Sequence, residues 1–219
     1  MTDNELRERL LKVGATALSD ALDRFGIDGQ ALGLMPVHRS MRFAGRAFTV
    51  RMLPVGLTKG SVGDYIDDVG SGQVVVIDNN GRLDATVWGD ILTWVASKNG
   101  VAATVIDGVC RDSERCIDLN YPVFARGTTM RTGKDRVTAD AYNVPIEVSG
   151  VRVSPGDWLM GDADGVVCLP QSKAEDVVLA AEQIEKVEEE IRNAVECGKR
   201  LDEARASLGY HSLQTKALD

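Results

Sequence analysis

Three short apolar runs constrain this chain more than anything else in it: QVVVID (73–78), VAATVID (101–107) and YPVFARG (121–127). Each is too short for a buried helix, rich in β-branched residues, and apolar without alternation, as expected of strands covered on both faces. Between the first two lies WGDILTWVASKNG (88–100), where Trp88, Ile91, Leu92, Val95 and Ala96 share one helical face and Gly100 marks the stop. A helix between two such strands is the crossover that parallel pairing requires, so the centre of the chain reads as a βαβ core. At 219 residues the chain is long enough to bury a substantial core around it.

The flanking segments fill out the plan. Residues 3–13 carry Leu6, Leu10 and Leu11 at helical spacing before Gly14, which reads as a stop; a second short helix runs from Ser19 to Gly26. FAGRAFTVRML (43–53) reads as a strand, and 144–169 as short strands of a β-meander or half-barrel punctuated by Gly150, Pro155-Gly156 and Gly165. From Ser172 to Cys197 the residues Val177, Ala180, Ile184, Val187, Ile191 and Ala194 recur every three or four positions. That helix either packs on its own domain or reaches across to a neighbouring subunit. The fold class is therefore α/β: one domain over 1–198 with a βαβ core, a β-rich portion and a long C-terminal helix. Residues 199–219 follow as an extended arm or tail.

Composition then removes whole classes of function. With 25 Lys+Arg against 33 Asp+Glu the net charge is −8, which argues against nucleic-acid or anionic-membrane partners. No apolar run spans a bilayer, and MTDNELRERLLKVG lacks the apolar stretch of a signal peptide. Cys110, Cys116, Cys168 and Cys197 form no C-x-x-C pair and read as reduced thiols of a cytoplasmic protein. The two histidines, His38 and His211, are far apart, so a histidine-built metal site is excluded. A catalytic ion would have to be held by carboxylates and water, which suits Mg2+ or Mn2+.

Two places could carry chemistry. Gly89 and Asp90 fall in the first turn of the 88–100 helix, where amides lack helical partners and a carboxylate ligand can approach closely. Equally, Gly89 can be a tight turn and Asp90 a charge placed well on the helix dipole. DGVCRD (107–112) follows the strand VAATVID, at the sheet edge where ligands of parallel α/β proteins bind. There Arg111 can hold a carboxylate or keto oxygen while Asp112 binds a hard ion; alternatively Asp112 caps a helix starting near Ser113 and Arg111 pairs with a surface acid. Together the two places suit a 2-oxo acid whose enolate is stabilised by a divalent ion.

Other chemistries fit worse. VVVIDNNG (74–81) lacks G-x-G-x-x-G and Walker A, and Lys59 and Lys98 sit in turns rather than in a Schiff-base pocket. His38 reads as a loop residue, and Cys110 as a small apolar one.

The run from Trp88 to Asp112, with SDALDRFG (19–26), GQVVVIDNNG (72–81), YPVFARG (121–127) and PGDWLMGDADGVVCLP (155–170), resembles the family of regulator of ribonuclease activity A and 4-hydroxy-4-methyl-2-oxoglutarate aldolase, over most of residues 15–196. The resemblance implies a swivelling β/β/α-type fold, assembled as a homotrimer or homohexamer with sites between subunits. It also implies a class II, Mg2+- or Mn2+-dependent lyase that cleaves 4-hydroxy-2-oxo acids to pyruvate, and oxaloacetate decarboxylation at the same site. By motif, Arg111 holds the keto or enolate oxygen and Asp112 binds the ion directly. The amides of Ile91 and Leu92, after Gly89 and Asp90, receive the substrate carboxylate. Asp90, and Glu188 (within Glu188–Glu190) from a neighbouring subunit, reach the ion through water. An early-helix acid matches Asp20 or Asp23. One departure stands out: the aldolase pattern has an acid three residues after the Asp, where this chain has Arg115, with Glu114 and Asp118 as the nearest substitutes. The family's other branch implies a second reading, a non-catalytic regulator that binds ribonuclease E; a methyltransferase reading lacks a glycine-rich cofactor loop.

Overall fold

The computed structural model describes residues 1–57, 60–210 and 213, so Lys59 and His211 lie outside the described residues. In chain order the first half contains α1 (Asp3–Phe25), β1 (Gln30–Ala31), β2 (Met35–Pro36), β3 (Phe43–Pro54), a 3-10 turn (Asp64–Asp68), β4 (Gln73–Thr86) and α2 (Asp90–Lys98). Then come β5 (Ala103–Cys110), α3 (Ser113–Asp118), β6 (Val123–Thr128), β7 (Val137–Tyr142), β8 (Ile146–Val148), β9 (Val151–Val153), β10 (Trp158–Asp162), β11 (Gly165–Leu169), α4 (Ala174–Glu196) and α5 (Leu201–Ser207).

The apolar runs form the expected parallel core. Strands β3, β4, β5 and β6 are adjacent and parallel, and α2 is the crossover between β4 and β5. Every residue of β5 is buried, which is why its sequence does not alternate. Antiparallel strands extend the sheet in the order β1-β11-β10-β3-β4-β5-β6-β2, with β7 on the outer half of β3. The fold is thus an α/β domain built on one central mixed sheet. The meander expected over 144–169 instead divides: β8 and β9 pair only with each other, whereas the β10–β11 hairpin joins the central sheet beside β3.

One apolar core fills the sheet's centre around Val75, Ile77, Val105, Ile106 and Phe124. A second lies between α1, α4 and the β10–β11 hairpin, around Leu10, Leu18, Trp158, Val177 and Ala181. The stripe on α4 is buried against its own chain, on α1 and α5, so the helix packs on its own domain.

Two expectations change near the termini. Gly14 breaks the helical backbone as expected, but the next helical segment follows at once rather than from Ser19. The glycine is a kink at φ 82° and ψ 170°, and the helix restarts because Ala15 donates its free amide to Asp162 Oδ2 at 2.9 Å. Beyond residue 198 the chain is not extended throughout: α5 folds back so that Ala204 is buried with Val187 and Ile191 of α4. Among the described residues no helix is long and apolar enough to cross a membrane.

Candidate functional site

The β4–α2 and β5–α3 junctions meet at the edge of the parallel core. Val87 N–H donates to Val109 O at 3.4 Å and Arg111 N–H to Trp88 O at 3.0 Å, which carries the pairing of the two strands past their ends. Gly89 and Asp112 are thereby set face to face. The Asp90 amide, first of α2, donates to Asp112 Oδ2 at 3.1 Å, and Arg111 Nε lies 3.4 Å from the same oxygen. Gly89, Asp90, Arg111 and Asp112 form one constellation.

Gly89 is required there by space, not by backbone angle. Its φ of −155° is open to any residue, but a Cβ would come within 2.8 Å of Asp112 Oδ2 and 3.2 Å of Arg111 Nε. Asp112 occupies the left-handed region at φ 56° and ψ 39°, a conformation that aspartate tolerates better than most residues. Although it stands at the N-cap of α3, its side chain makes no capping bond to that helix. It turns to α2 instead, so the helix-cap alternative gives way, and the acid that Arg111 pairs with is Asp112 itself.

The first-turn amides of Ile91 and Leu92 have no acceptor among the described residues, and both residues line a cleft of about 720 Å³. Its floor is Trp88, Gly89, Asp90 and Arg111, and its walls are Gly60–Asp64 and Thr132–Lys134. Gly133 brings the second wall in closely: a Cβ there would lie 2.0 Å from Thr86 O.

A divalent ion fits this donor set in one way. Mg2+ commonly takes one or two carboxylates and keeps several waters. Asp112, with a side chain 40% exposed and hydrogen-bonded to the Asp90 backbone, can serve as such a single carboxylate. An all-protein cage is absent, since no group of three or more His, Cys, Asp or Glu among the described residues could hold a metal.

Residues less legible in sequence support this floor. Thr93 is buried beneath it, and the buried Trp88 ring stacks on Tyr121 with the planes 8° apart. Thr93 signals itself only as a hydroxyl four residues after Gly89.

The remaining candidates lie elsewhere. Glu188 pairs with Arg192 at 3.8 Å on α4, which packs on α1 and α5 rather than on α2 or α3. Asp20 lines a separate cleft of about 250 Å³ between α1 and the β1–β2 turn, and Asp23 accepts from Gln30 Nε2 at 2.9 Å. Glu114, Arg115 and Asp118 are exposed on α3, and no hydrogen bond or ion pair joins their side chains to Arg111 or Asp112 among the described residues. Lys98 rests over the exposed Trp94 ring, and His38 hydrogen-bonds Ser40 at the surface. Burial pushes the Cys110 thiol up to about 12, which keeps it protonated and inert.

The model of the family described as RraA-like, Aldolase/RraA, matches residues 15–168. The chain belongs to the RraA-like family. Protein DlpA of Legionella pneumophila is 38% identical to it over 94% of this chain, but the chain spans only 34% of that protein's length. A Halalkalibacterium halodurans protein, provisionally named a 4-hydroxy-4-methyl-2-oxoglutarate aldolase, is 32% identical over 84% of this chain and 85% of its own. Among solved structures, an uncharacterized protein from Pseudomonas syringae pv. tomato superposes with a TM-score of 0.86 at 42% identity, covering 92% of this chain and 97% of that one. A Streptomyces coelicolor protein described as an unusual member of the RNase ES inhibitor RraA family gives 0.79 at 29% identity, covering 86% and 96%. The central mixed sheet and its helices are those of the RraA-like fold.

Proposed function

We propose that this RraA-like chain is a divalent-metal-dependent carbon–carbon lyase that releases pyruvate from 4-hydroxy-2-oxo acids such as 4-hydroxy-4-methyl-2-oxoglutarate, and that also decarboxylates oxaloacetate. One observation carries the reading: Arg111 lines a cleft of about 720 Å³ beside the opened first turn of α2, and Asp112 meets that turn across Gly89, with its carboxylate on the Asp90 amide and 3.4 Å from Arg111 Nε. The name of the Halalkalibacterium relative supports the same chemistry.

The substrate's C1 carboxylate sits on the Ile91 and Leu92 amides, where the helix dipole favours a negative charge. Arg111 donates to the 2-oxo oxygen and stabilises the negative charge that gathers there as the C3–C4 bond breaks. Asp112 would hold Mg2+ or Mn2+ directly, with Asp90 and Glu188 of a neighbouring subunit in a homotrimer or homohexamer placed around it. When bound, the ion supplies Lewis-acid polarisation of the oxo group. A carboxylate or water takes the C4 hydroxyl proton, and after cleavage a proton returns to C3 of the enolate. Oxaloacetate loses CO2 to give the same enolate, so one floor serves both reactions.

The test is pyruvate release from both acids with Mg2+ and after chelation. Activity that survives EDTA, or survives Asp112→Ala, overturns the reading. The RNase ES inhibitor name of a structural neighbour favours one second reading, a regulator without turnover. Salt-sensitive capture of ribonuclease E in the absence of pyruvate release would support it.

A further inference from the structure

Beneath the cleft floor a single hydroxyl ties the two halves of the site together. Thr93 is fully buried, and its Oγ1 donates to Gly89 O at 2.9 Å. The same oxygen accepts from Trp88 Nε1 at 2.9 Å and lies 3.4 Å from Cys116 Sγ. Cys116 belongs to α3, one turn beyond Asp112. Gly89 O also accepts the Thr93 amide at 3.0 Å, so one carbonyl is held by two donors from the same residue. The other side of that peptide unit is the Asp90 N–H, which points to Asp112 Oδ2.

The bonds therefore run in series, from Trp88 indole to Thr93 hydroxyl, to the Gly89–Asp90 peptide, to the Asp112 carboxylate. Each link polarises the next, and the chain passes through the plane of one peptide. Gly89 has no side chain of its own to fix that plane, so the bonds to its carbonyl and from the Asp90 amide set it. A threonine that bonds back to the carbonyl four residues earlier ordinarily bends a helix slightly and adds nothing. Here the carbonyl it grips is joined through one amide to Asp112.

We propose that Thr93 is a positioning residue: its hydroxyl fixes the Gly89–Asp90 peptide and, through the Asp90 amide, the orientation of the Asp112 carboxylate. Trp88 in turn fixes the hydroxyl, since its N–H occupies one lone pair and leaves the proton to the Gly89 carbonyl. The consequence for catalysis rests on the lyase reading; the consequence for the peptide does not.

The experiment measures amide hydrogen exchange at Asp90 by NMR, beside pyruvate release, in T93V, T93C and T93S. Losing the anchoring bond, worth about one kcal/mol net, lowers Asp90 protection by roughly fivefold or more in T93V. The serine retains wild-type protection, and the weakly bonding thiol falls between them. Pyruvate formation follows the same order, with the loss in kcat rather than KM where the carboxylate acts in the transition state. If T93V does not fold, the serine-to-cysteine ordering carries the test alone. Protection at Asp90 that is the same in T93S, T93C and any folded T93V overturns the positioning role, whatever the activities. A wild-type protein that makes no pyruvate, while Asp90 protection still follows the order, refutes the lyase reading and leaves Thr93's role standing.

Discussion

Replacing Gly89 with alanine separates function from folding more cleanly than any other single change. The backbone at φ −155° accepts alanine without strain, and alanine lowers the entropy of the unfolded chain, so the helix itself loses nothing. The cost falls on two side chains. The new methyl would lie 2.8 Å from Asp112 Oδ2, 3.2 Å from Arg111 Nε and 3.4 Å from Arg111 Cγ. Both side chains are about two-fifths exposed and can swing outward, which relieves the clash and breaks the Asp90 N–H bond to the carboxylate. A carboxylate moved out of position costs a transition-state interaction of about 1.5–3 kcal/mol, so kcat/KM for oxaloacetate should fall roughly 10- to 100-fold, whereas in the folding balance water takes over at the exposed carboxylate and little is lost. Thermal unfolding should shift by no more than about 4 °C, the equivalent of about 1 kcal/mol in a chain of this size. Pyruvate release coupled to NADH oxidation reads the first quantity and a melting curve the second. Wild-type turnover in G89A refutes the reasoning, because it shows that the close approach of Asp112 to α2 does not matter.

Three further outcomes follow from the same contacts. Gly14→Ala puts a side chain at φ 82° and ψ 170°, a glycine-only region, and 3.2 Å from Asp162 Oδ2; a loss of about 1–3 kcal/mol should appear in the urea midpoint with pyruvate release per folded molecule unchanged. In the native protein a thiol reagent at pH 8 should label Cys197 alone, because Cys110, Cys116 and Cys168 are buried with their thiols pushed up; labelling of all four without denaturant contradicts the packing. The Arg9 hydrogen bonds hold the Glu182 carboxyl below its ordinary value, so the stability this pair adds is present above about pH 4.5 and lost as acid titrates the folded group. With both side chains about one-third exposed its worth is about 0.2–1 kcal/mol, and urea midpoints of R9Q and wild type should differ at pH 6 and draw together as the pH falls below the ordinary carboxyl range.

What the sequence disclosed, and what it concealed, divides by the range of the interactions. The parallel strands were legible because burial on both faces writes itself into each run, and α2 because it lies between two such runs and stops at Gly100; its expected apolar face holds only in part, since Thr93 and Ala96 are the buried residues and Ile91 is 72% exposed. The Asp90–Asp112 bond was not, since it joins residues 22 apart and depends on two junctions meeting in space. Gly14 was legible as a break, but the restart at Ala15 was not, since its acceptor is Asp162, 147 residues on. Thr93 reads as an unremarkable polar residue inside a helix until its hydroxyl is seen under the Gly89 carbonyl. The helix α5 hid because Ala204 is its one buried residue and no apolar stripe marks a face. Resemblance to a family supplied the roles expected of Arg111 and Asp112; geometry supplied the reason a side chain at position 89 would push them apart.

The central claim, that Arg111 and Asp112 stabilise a pyruvate enolate, can be measured without knowing the far end of the substrate. Pyruvate held in D2O with the protein and Mg2+ exchanges its methyl protons faster than in Mg2+ alone only if the enolate forms at the site, and proton NMR follows the loss directly. The account predicts exchange in the wild type that stops on chelation and falls by about 100-fold or more in R111A. Exchange that persists in R111A and D112A, or none in the Mg2+-loaded wild type, contradicts it.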